Sequence, residues 1–435
     1  MSNHTIRFAL VWTASLVSAV GSGLTGFVLG VWIYTTTGSP TQFAAAMLSG
    51  MIPGILIGPF AGVVIDRFDR RRVMVLTDSL AAASTAAVAV LAASDALTVW
   101  HVCAASAVSA ACGTFHITAY QAMTPLLIPD KHLARANGLM HVSTATQIAA
   151  PVVGGTLLAA IGLPGVLVLD LATFAVAVLT LTLVGLPEKV LRPEPVAERP
   201  TVLADLATGL RHLRGRPGLG ALAAVMTGFG FLFAVAGVLV QPLILSFSDP
   251  GVLGLLMFAG GAGMFAGSLV MGAWGGPKAR LRGVALFMAL GALLLLAHAV
   301  RPWPLLVAVA AAAFLFTLPI VNGSAYALLQ SRIDPPLLGR TLGTVQTFGA
   351  AAAALAYVVA APLAEFVAGP LMAPGGALAG SVGALIGVGE GRGIALVLAA
   401  DGLLLGVLAA LTVALPRLRR IETPAPGPVP AAAVS

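Results

Sequence analysis

Four carboxylates stand inside segments that are otherwise apolar: Asp78, Asp170, Glu365 and Asp401. A charge at the centre of a bilayer costs roughly 2.5–3.5 kcal/mol, so each must face protein, water or a headgroup region, and each is a candidate to carry a coupling proton. Other roles stay open for them. Asp78 lies near the start of its segment and could anchor a gate, while Asp170, Asp401 and Glu365 could be held by nearby Ser, Thr or backbone groups. Uncharged polar side chains recur at helical spacing. His116 and Tyr120 are i, i+4, and Asn322, Tyr326 and Gln330 are i, i+4, i+8, so each set shares one helix face. Such stripes either bond a neighbouring helix or line a cavity. Gln147, Gln241 and Gln346 are further lining candidates.

Other chemistries find little footing. GxxxxGK[ST] is absent from the chain, so it does not hydrolyse nucleotide by itself. A membrane enzyme would need a Ser/His or His/Asp cluster, and His101 and His116 have no acid beside them in sequence. The two cysteines, Cys103 and Cys112, have neither disulfide nor zinc spacing and read as buried apolar residues. No metal or cofactor is expected, which leaves an ion gradient, of protons, to drive any work.

The elements that must position these groups are membrane spans. The chain has 435 residues, 59% hydrophobic and 9% charged, where a soluble domain carries about 25% charged residues. Twelve apolar runs of spanning length can be read, at 8–35, 41–65, 73–94, 97–122, 138–160, 164–186, 219–245, 252–275, 283–300, 303–330, 342–369 and 393–415. The expected fold is an all-α integral membrane protein of twelve transmembrane helices. All but Arg301 and Arg392 of the 23 Lys and Arg residues fall on the tails and alternate connections. That split puts both termini in the cytoplasm of a multi-pass cell-membrane protein. It also explains the net charge of +7 without nucleic acid as a partner.

One long polar stretch, "LPEKVLRPEPVAERPTVLADLATGLRHLRGRPG", divides the chain. It separates a first six-helix bundle (1–187) from a second (218–416), with a cytoplasmic linker at 188–217 and a disordered tail at 417–435. The linker's second half, around 201–214, reads as an amphipathic surface helix. The two halves look duplicated. Asn322 and Tyr326 repeat the spacing of His116 and Tyr120, and Arg340 follows them as Arg135 follows the first pair. Parallel six-span repeats that rock about a midplane site are a secondary-transporter architecture. The expected partners are the lipid bilayer and a small-molecule substrate, and the chain is expected to work as a monomer.

"GVVIDRFDRRRVM", residues 62 to 74, follows the second run. Its arginines serve positive-inside anchoring, but Asp66 does not. A carboxylate there could accept hydrogen bonds from the exposed amides that open another helix. The eleventh run, starting near Gly343 with Arg340 beside it, is the expected partner, in a latch that joins the halves while the cytoplasmic side is closed.

This stretch resembles the loop between helices 2 and 3 of the major facilitator superfamily, G-x-x-x-D-R with basic residues following. Gly62, Asp66, Arg67, Arg70 and Arg71 match, and Asp69 replaces the usual second glycine, as in the branch of enterobactin exporters and macrolide efflux pumps. "GGPKARLRG" in the second half lacks the Asp-Arg pair, so one latch is expected. "TQIAAPVVGG" resembles the exporter motif G-x-x-x-G-P-x-x-G-G: Pro151, Gly154 and Gly155 match, and Thr146 and Ala150 are small replacements. A proline there kinks the helix, and small residues admit a close neighbour. The resemblance implies the major facilitator fold and a secondary active, proton-coupled exporter of hydrophobic or amphipathic molecules such as drugs, macrolides or siderophore-like peptides. An importer of a small metabolite is the alternative.

Overall fold

The computed structural model describes residues 3–65, 67–127, 130–185, 202–334 and 337–422, with backbone alone at some positions, chiefly 130–152. The first half contains α1 (Asn3–Thr37), α2 (Pro40–Ile65), α3 (Arg70–Ala93), α4 (Val99–Leu127) and α5 (Asp130–Leu183). A connector helix, α6 (Val202–Gly215), leads to α7 (Pro217–Leu245), α8 (Pro250–Trp274), α9 (Arg280–Val300), α10 (Pro304–Gln330) and α11 (Leu338–Pro362). Two short helices, α12 (Gly369–Met372) and α13 (Val382–Ile386), precede α14 (Arg392–Ala414) and α15 (Pro416–Glu422).

Among the described residues, 11 helices are long and apolar enough to cross a membrane. The difference from twelve runs lies in α5, where the fifth and sixth runs join. Gly162, at φ 67 and ψ 177, interrupts the helical geometry. Only glycine tolerates that backbone without strain, so it splits α5 into two arms. Large side chains such as Trp100, Leu56 and Phe265 point outward and are more than half exposed. In a chain this apolar, lipid covers them.

Because successive spans alternate in direction, the start of α1, the 67–69 turn, α6 and α15 share one end of the molecule, here the terminal end. The 37–40, 245–250 and 369–391 segments share the other, the far end. Apolar contact between the halves involves α1, α2 and α5 on one side and α7, α8 and α11 on the other. One core cluster joins Ile33, Tyr34 and Phe43 to Val238, Leu239 and Ala361, and another joins Leu24, Phe27 and Val166 to Ile244 and Leu253. Toward the terminal end, the cluster of Phe8, Val11, Ile65, Met74, Met123 and Leu181 stays within the first half.

The connector helix belongs to the second half. It packs on the start of α11, where a Cβ at Gly209 would come within 2.6 Å of the Arg340 carbonyl oxygen. Beyond it, Arg216 pairs with Asp334 at 2.8 Å and donates to the Arg332 carbonyl oxygen at 2.8 Å.

Candidate functional site

A cavity of about 400 Å³ lies in the second half, between the middles of α7, α10 and α11. Asn322 and Tyr326 from α10 and Gln346 from α11 line it, together with Thr227, Phe233 and Tyr357. The i, i+4 spacing that puts Asn322 and Tyr326 on one face of α10 turns that face inward. Among the described residues that line it, none is charged. Phe233 is backed by Phe314, stacked with ring centroids 6.1 Å apart. The wall is therefore mostly apolar, with a few fixed hydrogen-bonding groups, a pattern suited to a bulky amphipathic ligand. Tyr357 and Thr227 were not singled out in the sequence, although Tyr357 lies on α11 three turns after Gln346.

The other lining candidates stand elsewhere. Tyr120 is buried against Phe8, ring centroids 6.2 Å apart. Gln241, near the far end of α7, is half-buried and does not line the cavity. The side chain of Gln147 lies outside the described residues. His116 faces α3 and α1: its Nδ1 lies 2.7 Å from Asp78 Oδ1 and its Nε2 lies 3.2 Å from Ser15 Oγ. Asp78, read from its sequence position as a gate anchor or a coupling candidate, is the acid partner that His116 lacked in sequence. The two are 38 residues apart in the chain, and only the packing of α3 on α4 brings them together.

The remaining acids differ in their surroundings. Asp170 lines a second, smaller pocket in the first half. It accepts from Thr25 Oγ1 on α1 at 2.7 Å and from Thr173 Oγ1 at 3.3 Å. Asp401, in the corresponding place in the second half, is buried with neither carboxyl oxygen hydrogen-bonded.

Glu365 joins the two halves at the far end. Its Oε2 accepts from Ser39 Oγ at 2.7 Å and from the Thr41 backbone N–H at 3.0 Å. Ser39 opens α2, and its Oγ also accepts from Gln42 N–H at 3.2 Å. The carboxylate thus sits at a helix N-terminus, where unpaired amides and the helix dipole favour an anion. Its own position comes from a single π-helical turn, Leu363–Ala368, that follows Pro362. Proline lacks the N–H that would continue the regular ladder, and wide turns of this kind often mark functional sites.

Gly155 marks a second contact between the halves near the far end. A Cβ there would lie 2.7 Å from the Pro250 carbonyl oxygen and 3.3 Å from Gly251 Cα, at the start of α8. At Gly154 it would lie 2.7 Å from the Phe27 ring on α1. The side chain of Pro151 lies outside the described residues.

At the terminal end, Asp66 lies outside the described residues. Around it, Gly62 has open space where a Cβ would be, Arg67 is exposed and Arg70 is buried. Arg71 donates to the Thr182 carbonyl oxygen near the end of α5. Asp69 caps α3, accepting from Arg72 N–H at 3.0 Å. Arg340 is ion-paired with Asp205 of the connector helix at 2.8 Å, and Gly343 has nothing within 4 Å of its missing Cβ. The basic group expected to face the latch is therefore held by the linker.

The model of the Major Facilitator Superfamily matches residues 11–357. The chain belongs to that family. It is a multi-pass membrane transporter, and the family is one of transporters, not enzymes. Over 369 residues it is 24% identical to macrolide efflux protein A of Streptococcus pyogenes, covering 84% of this chain and 91% of that protein. Over 370 residues it is 26% identical to the multidrug efflux pump Tap of Mycolicibacterium fortuitum, covering 82% and 88%. Among solved structures, the nucleoside transporter NupG superposes with a TM-score of 0.72 at 13% identity, covering 94% of this chain and 99% of that one. An inward-facing, unoccupied bacterial homologue of the human lysosomal transporter Spinster gives 0.64 at 15% identity, covering 97% and 96%. At these identities the structural likeness establishes the fold alone.

Proposed function

We propose that the protein is a secondary active exporter, a proton-coupled antiporter, of hydrophobic or amphipathic small molecules such as macrolides, other drugs or siderophore-like peptides. The observation that carries this reading is the cavity between α7, α10 and α11, which is uncharged, mostly apolar and fitted with Asn322, Tyr326, Gln346 and Tyr357. Such a wall gains from burying apolar ligand surface and fixes orientation with a few hydrogen bonds. The relatives called macrolide and multidrug efflux proteins support the direction and the substrate class.

In the proposed cycle the far end is the external side and both termini are cytoplasmic, a reading the arginine distribution supports. The far-end contacts of Glu365 and Gly155 hold the external side closed while the cavity receives substrate from the cytoplasm or inner leaflet. Asp66 closes the opposite side once those contacts part. Alternation between two latched states lets a gradient drive net movement without the site being open to both sides at once.

The test is uptake of radiolabelled erythromycin into everted membrane vesicles energised by a proton gradient. Accumulation that collapses with a protonophore is expected, as is its loss in Asp66→Asn at unchanged expression. Vesicles that never exceed equilibrium for erythromycin or for a panel of amphipathic drugs would remove this reading.

A further inference from the structure

Ser15, His116 and Asp78 form a chain of contacts across three helices of the first half, at 3.2 and 2.7 Å. The pair sits well inside α3 and α4, so neither side chain caps a helix. Both helices are rich in alanine, and a buried ion pair is often no more stabilising than well-packed apolar residues in its place. Structural need therefore explains the pair poorly.

Its geometry does suit a proton site. The Asp78 side chain is 7% exposed and His116 is 15% exposed, so the imidazole is the more accessible member of the pair and the carboxylate the more buried. With one proton on the pair, Nδ1–H donates to Asp78 and Nε2 accepts from the Ser15 hydroxyl. With a second proton, Nε2–H donates and the same hydroxyl turns to accept. Serine can do both because its oxygen is donor and acceptor. Asp78 Oδ2 is buried without a hydrogen-bond partner and is a further seat for the added proton.

We infer that Asp78 and His116, with Ser15 as the switching partner, are the site that binds and releases the coupling proton. This rests on the antiport reading above. The site changes net charge by one on each loading while its hydrogen bonds are conserved, which is what a coupling site needs inside a low-dielectric bundle. The same three residue types serve nucleophilic catalysis in hydrolases; in a transporter the chemistry left to them is proton transfer. Among the described residues, few other titratable groups face the pair. On α4, Cys112 and Tyr120 lie one turn either side of His116, and α2 carries no titratable side chain. On α3 the cations Arg70, Arg71 and Arg72 lie nearer the terminal end, as does Arg7 on α1, and the charge on the second arm of α5 is Asp170, already held by Thr25 and Thr173.

The test uses the full chain in liposomes with erythromycin as probe. Asp78→Asn and His116→Gln are expected to lower proton-driven accumulation by at least about tenfold while gradient-free erythromycin exchange stays within about twofold. Accumulation at wild-type level in either variant would overturn the inference. A second measurement covers variants that fail to fold and a probe that is not carried. In wild-type protein in nanodiscs, isotope-edited infrared titration should show a carboxyl band and a labelled-histidine band changing together, with Ser15→Ala shifting their common midpoint. Independent titration of the two bands would overturn the site. Joint titration without any gradient-driven transport would instead leave the site standing and remove the exporter reading.

Discussion

Replacing Glu365 with alanine removes both hydrogen bonds that tie the second half to the start of α2 at the far end. Each has a charged acceptor, and such bonds contribute about 1.5–3 kcal/mol where water is excluded. Glu365 is only half-buried, and Ser39 and Thr41 regain water when the halves part, so the pair together is expected to contribute about 1.5–3 kcal/mol. That is roughly a 10- to 150-fold change in the ratio of far-end-closed to far-end-open protein. Glu365→Gln keeps one acceptor oxygen and should show about half the free-energy effect. The assay is double electron–electron resonance with spin labels at Thr36→Cys and Leu385→Cys, both exposed far-end positions, in a background without Cys103 and Cys112. A larger fraction of long distances is expected for Glu365→Ala, with Glu365→Gln between it and the parent. An unchanged distance distribution in Glu365→Ala would refute the assignment of this contact as a latch.

Three further outcomes are expected. Gly155→Val should also populate the far-end-open state, since the new Cβ would meet the Pro250 carbonyl oxygen at 2.7 Å and overpacking costs about 1–3 kcal/mol; Gly62→Ala, with open space at its Cβ, should leave the same distances unchanged. Gly209→Leu should dislodge the connector helix from α11, seen as faster proteolysis of the linker, whereas Asp205→Ala, which breaks an exposed pair worth about 0–1 kcal/mol, should leave the digestion rate as it was. Gln346→Leu should weaken transport of substrates that offer hydrogen-bonding groups by about 1–3 kcal/mol in apparent affinity, while purely apolar dyes are carried as well or better, as competition against erythromycin would measure.

Much of the fold was legible because a bilayer imposes simple rules. Every backbone group in lipid must be satisfied within a helix, so apolar runs of sufficient length become spans and arginine placement orders their ends. The merging of the fifth and sixth runs in α5 was less legible: the joint is a single glycine, Gly162, with helix on both sides. The cavity was partly legible, since polar residues on one face of an apolar helix must meet something polar, and Asn322, Tyr326 and Gln346 do share a wall. His116 and Tyr120 show the same spacing yet point into packed surroundings. Helical periodicity says which residues share a face but not which neighbour that face meets.

The sequence by itself determined the all-helical, membrane-spanning architecture and the order of its apolar runs, and it offered the physics of a latch in which a carboxylate meets the start of a helix. It could not say where such a contact forms. From the motif at 62–74 it pointed to the end of α2 meeting the start of α11, a contact whose Asp66 lies outside the described residues; the described residues show a separate one, the end of α11 meeting the start of α2 through Glu365. Only the tertiary structure decided that, because the contact of Glu365 with the start of α2 and the approach of Gly155 to Pro250 depend on how elements far apart in the chain pack together. The pairing of Asp78 with His116 is of the same kind: each residue is visible in the sequence as a buried polar group, but a 2.7 Å contact exists only once α3 and α4 have packed.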